Sequence, residues 1–178
     1  PLDVAQWLDD LSKAASESRA QALARAAKKD SPELRRLVAD VAIQAGTGRF
    51  FAYKLRSAVL WSLSERTGDR GALTEAVNAY RTARQAWASM AEMAKTIYAS
   101  DITYGPNANL RGHWLDRIPG IDGDLGDMER RLAGASSATT SADQAAVRRA
   151  IQTVLARPQR PSLSAQHTPP AHFEPGKP

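Results

Sequence analysis

Residues 70–98 constrain this chain more than any other stretch. Leu73, Val77, Tyr80, Trp87, Ala91, Ala94 and Tyr98 recur at helical spacing, and Ala76, Ala79, Ala83, Met90, Met93 and Ile97 widen that stripe. A helix lying on a protein surface buries one stripe and shows water the rest. A face this broad has to be covered by several neighbours at once, which predicts the central helix of a bundle. Much of it is alanine, which favours helix and lets neighbouring helices come close.

The neighbours follow from capping signals and periodicity. Residues 3–28 read as a first helix, with Leu8, Leu11, Ala15, Ala22 and Ala26 on one face and Arg19, Arg25 and Lys28 around the other side. Ser31-Pro32-Glu33 is a helix start: a hydroxyl to cap free N–H groups, a proline suited to the first position, and an acid at the positive end of the dipole. Leu34, Leu37, Val38, Val41, Ala45, Gly48, Ala52, Leu55 and Val59 then carry a second helix to about Arg66. Gly68 is placed to cap its end, and the tight turn through Asp69 predicts an antiparallel hairpin with residues 70–98.

Beyond residue 117, Ile118, Ile121, Leu125, Met128 and Leu132 step by 3, 4, 3 and 4, a narrow seam on a fourth helix. Pro119 should break that helix near its start, leaving His113–Ile118 as a separate short turn. Residues 134–141, GASSATTS, have the composition of a flexible link. Val147, Ile151, Val154 and Leu155 mark a short fifth helix over 142–156. Six of the ten prolines then fall in 157–178, a tail expected to be extended or disordered unless a partner orders it. The expected fold is all-α: a helical bundle over 1–133, the link, the short C-terminal helix and the Pro-rich tail. That makes a four- to five-helix antiparallel bundle. The ERTGD turn and the alanine and aromatic spacing after it give the central hairpin a tetratricopeptide-like texture. No second copy follows at a period of about 34 residues, so no superhelical array is expected.

A chain of 178 residues suits one domain. No apolar run approaches the roughly 18 residues that would suggest a bilayer span. With no cysteine, disulfides, thiol nucleophiles and thiolate metal sites are excluded. The formal net charge is +5, but Arg157, Arg160 and Lys177 against Glu174 put +2 in the tail, leaving +3 for residues 1–156. Acids are interspersed with the bases throughout that body, so nucleic acid is disfavoured as a partner. An opening Pro1 reads as a processed product or a piece of a longer polypeptide. The compartment stays open, and secretion or periplasmic export fits a chain whose signal segment has been removed.

Candidate site residues cluster in the turn-rich stretch from Tyr98 to Arg117. There Tyr104, Arg111, His113, Trp114 and Asp116 combine aromatic faces with a guanidinium, an imidazole and a carboxylate. Such a set suits a polyhydroxylated ligand, with rings stacking on apolar sugar faces and Asp and Arg meeting hydroxyls. The same set also suits a structural role, in which Arg111 and Asp116 lock the crossing onto the bundle and Trp114 plugs the open end of the core. The structural role is the simpler one.

Other motifs fail their own tests. Gly46-Thr47-Gly48 has no preceding strand, and its lysine, Lys54, comes too late for a phosphate loop. It reads instead as a point where a neighbouring helix approaches closely, or as a kink. The acids Asp122, Asp124 and Asp127 do not keep the ligand spacing of a calcium loop, and read as an acidic outward face near a helix start. Arg49, Phe50, Tyr53, Lys54 and Arg56 form a basic, aromatic surface whose long stems cover apolar area. His113 lacks a partner at zinc-binding spacing, and no metal or cofactor is implied.

The words GRFFAYKLRSAVLWSLSERTGDRGALTEAVNAYRTARQAW and DITYGPNANLRGHWLDRIPGIDGDLGDME, within about residues 45–132, resemble the helical C-terminal region of large bacterial proteins similar to glycoside hydrolases. That resemblance implies an accessory domain packed on a preceding catalytic barrel, with a carbohydrate as a further partner. It carries over no catalytic residue. The leading expectation is thus a non-catalytic helical accessory or interaction domain. One alternative is a glycoside-hydrolase-type enzyme using Asp116 or His113, and another is a docking module acting on a protein through its Pro-rich tail.

Overall fold

The structure, a computed structural model, describes residues 1–26, 31–102, 106–107, 111–136 and 141–156, the side chains of 141–143 excepted. Among them are five α-helices and no strand: α1 (Leu2–Arg25), α2 (Pro32–Thr67), α3 (Arg70–Lys95), α4 (Ile118–Gly134) and α5 (Ser141–Leu155). A 3-10 turn, Trp114–Arg117, leads directly into α4. The expected link falls partly on 137–140, and the Pro-rich tail 157–178 falls wholly outside the described residues.

The central hairpin forms as its turn residues dictate. Ser31 Oγ accepts the Leu34 N–H at 3.1 Å and Pro32 opens α2. Gly68 ends α2 in the left-handed region at φ 68°, returning its N–H to the Ser64 carbonyl at 2.8 Å. The Asp69 carboxylate then caps α3 through Ala72 N–H at 2.7 Å. The two helices span 36 and 26 residues. A tetratricopeptide unit holds both of its helices in about 34 residues, far fewer than this hairpin uses.

Leu60, Val77 and Ser57 are fully enclosed between the two helices, and the Ser57 hydroxyl meets the Ala76 carbonyl at 2.8 Å. Around them lie Phe50, Ala52, Tyr53, Ala76, Ala79, Tyr80 and Ala83, completed by Ile121 of α4 and Val154 of α5. A second cluster, Ile43, Met90 and Ala94, is covered by Trp87, Tyr98 and Trp114.

Gly46 and Gly48 do what close approach requires, one for each neighbour. A Cβ on Gly46 would lie 2.7 Å from Met90 Cγ of α3, and one on Gly48 would lie 2.5 Å from Ser12 Oγ of α1. Both neighbours come within close contact of α2 at these glycines, and α2 continues through the triplet without interruption. α4 runs antiparallel along α3, tied by Arg84–Asp122 at 2.8 Å and Arg81–Glu129 at 2.7 Å, with the Tyr80 hydroxyl donating to Asp124 at 2.7 Å. The acids expected on an outward face of α4 are exposed as expected; Asp122 and Asp124 also fasten the helix to α3, while Asp127 pairs with Arg130 of α4 itself.

α1 departs most from its periodicity. The sequence puts Leu8, Leu11, Ala15, Ala22 and Ala26 on the inner face, yet the side buried against α2 is Ala5, Gln6, Asp9 and Ser12. Leu8 is half-buried, while Leu11 and Ala22 are exposed. The reason lies on α2. Arg56, 3% exposed, faces α1, and a buried guanidinium needs charged and polar acceptors around it. Asp9 Oδ2 accepts from Arg56 Nη1 at 3.2 Å and Gln6 Oε1 from Nη2 at 2.8 Å. The guanidinium also lies over the Tyr53 ring, 5.5 Å from its centroid. Pairing outweighs hydrophobic periodicity here and turns the helix.

Candidate functional site

Two regions need a functional account: the crossing between α3 and α4, and the outward face of α1. At the crossing, Asp101–Ile102 and Arg111–Gly112 lie side by side. The Ile102 N–H donates to the Gly112 carbonyl at 3.0 Å, and the Gly112 N–H donates to Asp101 Oδ1 at 3.0 Å. Arg111 reaches the same carboxylate at 3.4 Å, and Arg117 donates to the Arg111 carbonyl at 2.8 Å.

Gly112 takes φ 95°, a conformation side chains disfavour, and a Cβ there would run into Asp116 Oδ2. Immediately after it comes a capping box. His113 Nδ1 accepts the Leu115 N–H at 3.1 Å, while Asp116 Oδ2 accepts the His113 N–H at 2.7 Å. His113 is buried; since Nδ1 is an acceptor, the ring proton belongs on Nε2, which has no hydrogen-bond partner.

Trp114 is half-buried against Ile43, Met90 and Ala94, edge-on to Tyr98 and His113 with ring centroids 5.6 and 5.4 Å away. Its carbonyl accepts the Trp87 indole N–H at 2.8 Å. Tyr98 in turn donates to Asp40 of α2. That hydrogen bond, first, and then burial and the carboxylate's charge raise the phenol above its ordinary range.

Of the sequence-derived candidates, Arg111, His113, Trp114 and Asp116 thus share one small structure, while Tyr104 lies outside the described residues. Asp116 Oδ2 and His113 Nδ1 are occupied with backbone N–H groups, and Arg111 with the loop closure. Asp101, absent from that candidate set, is the residue that joins the two sides. Among the described residues, no group of three or more His, Cys, Asp or Glu side chains is placed to hold a metal ion.

The outward face of α1 is the region that periodicity misplaced. With its polar side turned to Arg56, the helix exposes Val4 (52%), Trp7 (49%) and Leu11 (36%). At about 100° per residue these three fall within an arc of about 60°. One large apolar side chain on a surface is ordinary, but three in a row along one helix form a continuous edge. On one flank stand Asp3, Asp10 and Glu17, each seven residues from the next; Leu8 and Ala15 stand on the other. The missed signal was Arg56 itself. Expected on a basic surface with its charge in water, Arg56 is buried instead, and a buried guanidinium demands an acid opposite, which Asp9 of α1 supplies.

The chain matches no protein-family model, no curated protein and no solved structure. Among the described residues no helix is long and apolar enough to cross a membrane.

Proposed function

We propose that this chain is a non-catalytic helical interaction domain that docks a protein partner on the outer face of α1. The observation carrying this reading is the exposed edge Val4–Trp7–Leu11, presented by a helix whose polar side is held inward by Arg56. Tryptophan is among the side chains that most often anchor a protein interface, and Val4 and Leu11 extend the apolar area around Trp7. The resemblance to glycoside-hydrolase-like proteins fits a module of this kind, with a catalytic domain of the same polypeptide as one such partner. The glycosidase alternative draws little from His113 and Asp116, because both side chains already hold backbone N–H groups of the 3-10 turn.

Site-specific photo-crosslinking tests the reading. With a photoreactive residue replacing Trp7, one protein species should crosslink in the producing cell, and Leu11→Asp should remove that adduct. The same reactive group replacing Gln85, exposed on α3, should give none. No adduct from position 7, or equal adducts from both positions, contradicts the proposal.

A further inference from the structure

We infer that the partner seated on α1 is an amphipathic helix with a basic flank; this inference rests on the docking reading above. Val4, Trp7, Leu11 and Ala14 step by 3, 4 and 3, the spacing of a helix–helix seam. Asp3, Asp10 and Glu17 immediately precede Val4, Leu11 and Ser18, so they run along one flank of that seam in strict seven-residue register. Residues in flanking positions choose the partner and its orientation through charge pairs across the seam.

A second copy of α1 meets this pattern poorly. Antiparallel pairing brings the acidic flank against itself, and parallel pairing brings it against uncharged Leu8 and Ala15. A helix carrying Lys or Arg on its flank instead sets opposite charges against exposed Asp3 and Glu17, along with apolar side chains to cover Trp7 and Leu11. The acidic flank stands out in a chain of formal net charge +5. Glu17 has the weakest hold on its present partner. Lys13 reaches Glu17 at only 3.9 Å, with both side chains well exposed. Asp10 is the most enclosed of the three, its Oδ1 accepting from Gln6 at 2.7 Å. Asp3 and Glu17, both exposed, are therefore the positions to alter.

Calorimetric titration of the full chain with two synthetic helical peptides tests the inference. Both carry the same leucine seam, one with lysine flanks and the other with glutamate flanks. The lysine peptide should bind at least about tenfold tighter, and the margin should shrink as salt rises. Asp3→Lys with Glu17→Lys should abolish or invert the preference. Asp3→Asn with Glu17→Gln, which perturbs the helix less, should reduce it, and Trp7→Lys should remove binding while the circular dichroism spectrum is retained. Equal affinity for the two peptides, or indifference to the charge changes, overturns the inference. So does a synthetic 157–178 peptide that binds as tightly as the lysine peptide, because the chain's own tail is then the occupant. Sedimentation of the free protein as a dimer that Leu11→Asp dissociates overturns it in favour of a second copy. If position 7 crosslinks a partner but the lysine peptide fails to bind, the charge inference falls and the docking reading stands.

Discussion

Arg56 of α2 and Asp9 of α1 form an ion pair at 3.2 Å in which the arginine side chain is 3% exposed and the aspartate 11%. The pair fixes which side of α1 faces inward. Removing either member strands the other in a site with little water. Arg56→Met and Asp9→Leu are each expected to cost about 3–5 kcal/mol, and the double substitution less than either alone. Urea denaturation of the three variants checks this.

Gly46 and Gly48 should respond unequally to alanine. At Gly46 the obstruction is the Met90 side chain near its own backbone, which has little freedom to move. At Gly48 it is the Ser12 hydroxyl, which can turn away by giving up its bond to the Leu8 carbonyl. Gly46→Ala should destabilise by about 1–3 kcal/mol. Gly48→Ala should lie nearer zero, because helix propensity returns up to about 1 kcal/mol. Chemical denaturation gives both values.

The 3-10 turn should loosen without the bundle unfolding. Gly112→Ala meets both the positive φ and the Asp116 carboxylate, at an expected cost of about 1–3 kcal/mol. Asp116→Ala should release the His113 N–H, whereas Asp116→Asn keeps an acceptor and should do less. Amide exchange at His113 and Leu115 should accelerate in Gly112→Ala and Asp116→Ala, while amides of the central hairpin stay protected.

Tyr80 predicts an alkaline limb of instability. Burial, then the hydrogen bond to Asp124 and that carboxylate's charge, raise its phenol well above the ordinary 10.0. The unfolded chain therefore loses this proton first. The stabilisation is complete below about pH 10 and falls away as pH rises from there through the folded-state value. Tyr80→Phe should lower stability near neutrality by about 1–2 kcal/mol through the lost hydrogen bond, yet show a shallower decline above about pH 10. Melting temperatures across that range for both proteins test the sign.

The central hairpin was legible because its signals are local. The stripe from Leu73 to Ala94, the Gly68 cap and the Ser31-Pro32 start depend on spacing and turn chemistry alone. The glycine triplet was legible as close approach, though not which neighbour each glycine admits. The orientation of α1 was not legible, because periodicity counts apolar residues and gives no weight to one buried guanidinium on another helix. The bonds of Asp122 and Asp124, both exposed as expected, were not legible for a related reason: their partners, Arg84 and Tyr80, lie on another helix far away in sequence. At the crossing, Trp114 packs on the end of the core as expected, but the bonds of Arg111 and Asp116 stay within the crossing and its 3-10 turn and do not tie it to the bundle. The joining role of Asp101 depends on Gly112 lying beside it.

The most direct measurement uses the absence of native cysteine. Single substitutions Trp7→Cys, Leu11→Cys, Ala5→Cys and Ser12→Cys are labelled with a thiol reagent under native conditions. Positions 7 and 11 should react at nearly the rate of the unfolded chain, and positions 5 and 12 should be slower by about a hundredfold or more, limited by opening of the α1–α2 contact. Fast labelling at 5 and 12 with protection at 7 and 11 would mean that α1 buries its apolar edge after all, and the proposed docking face would not exist.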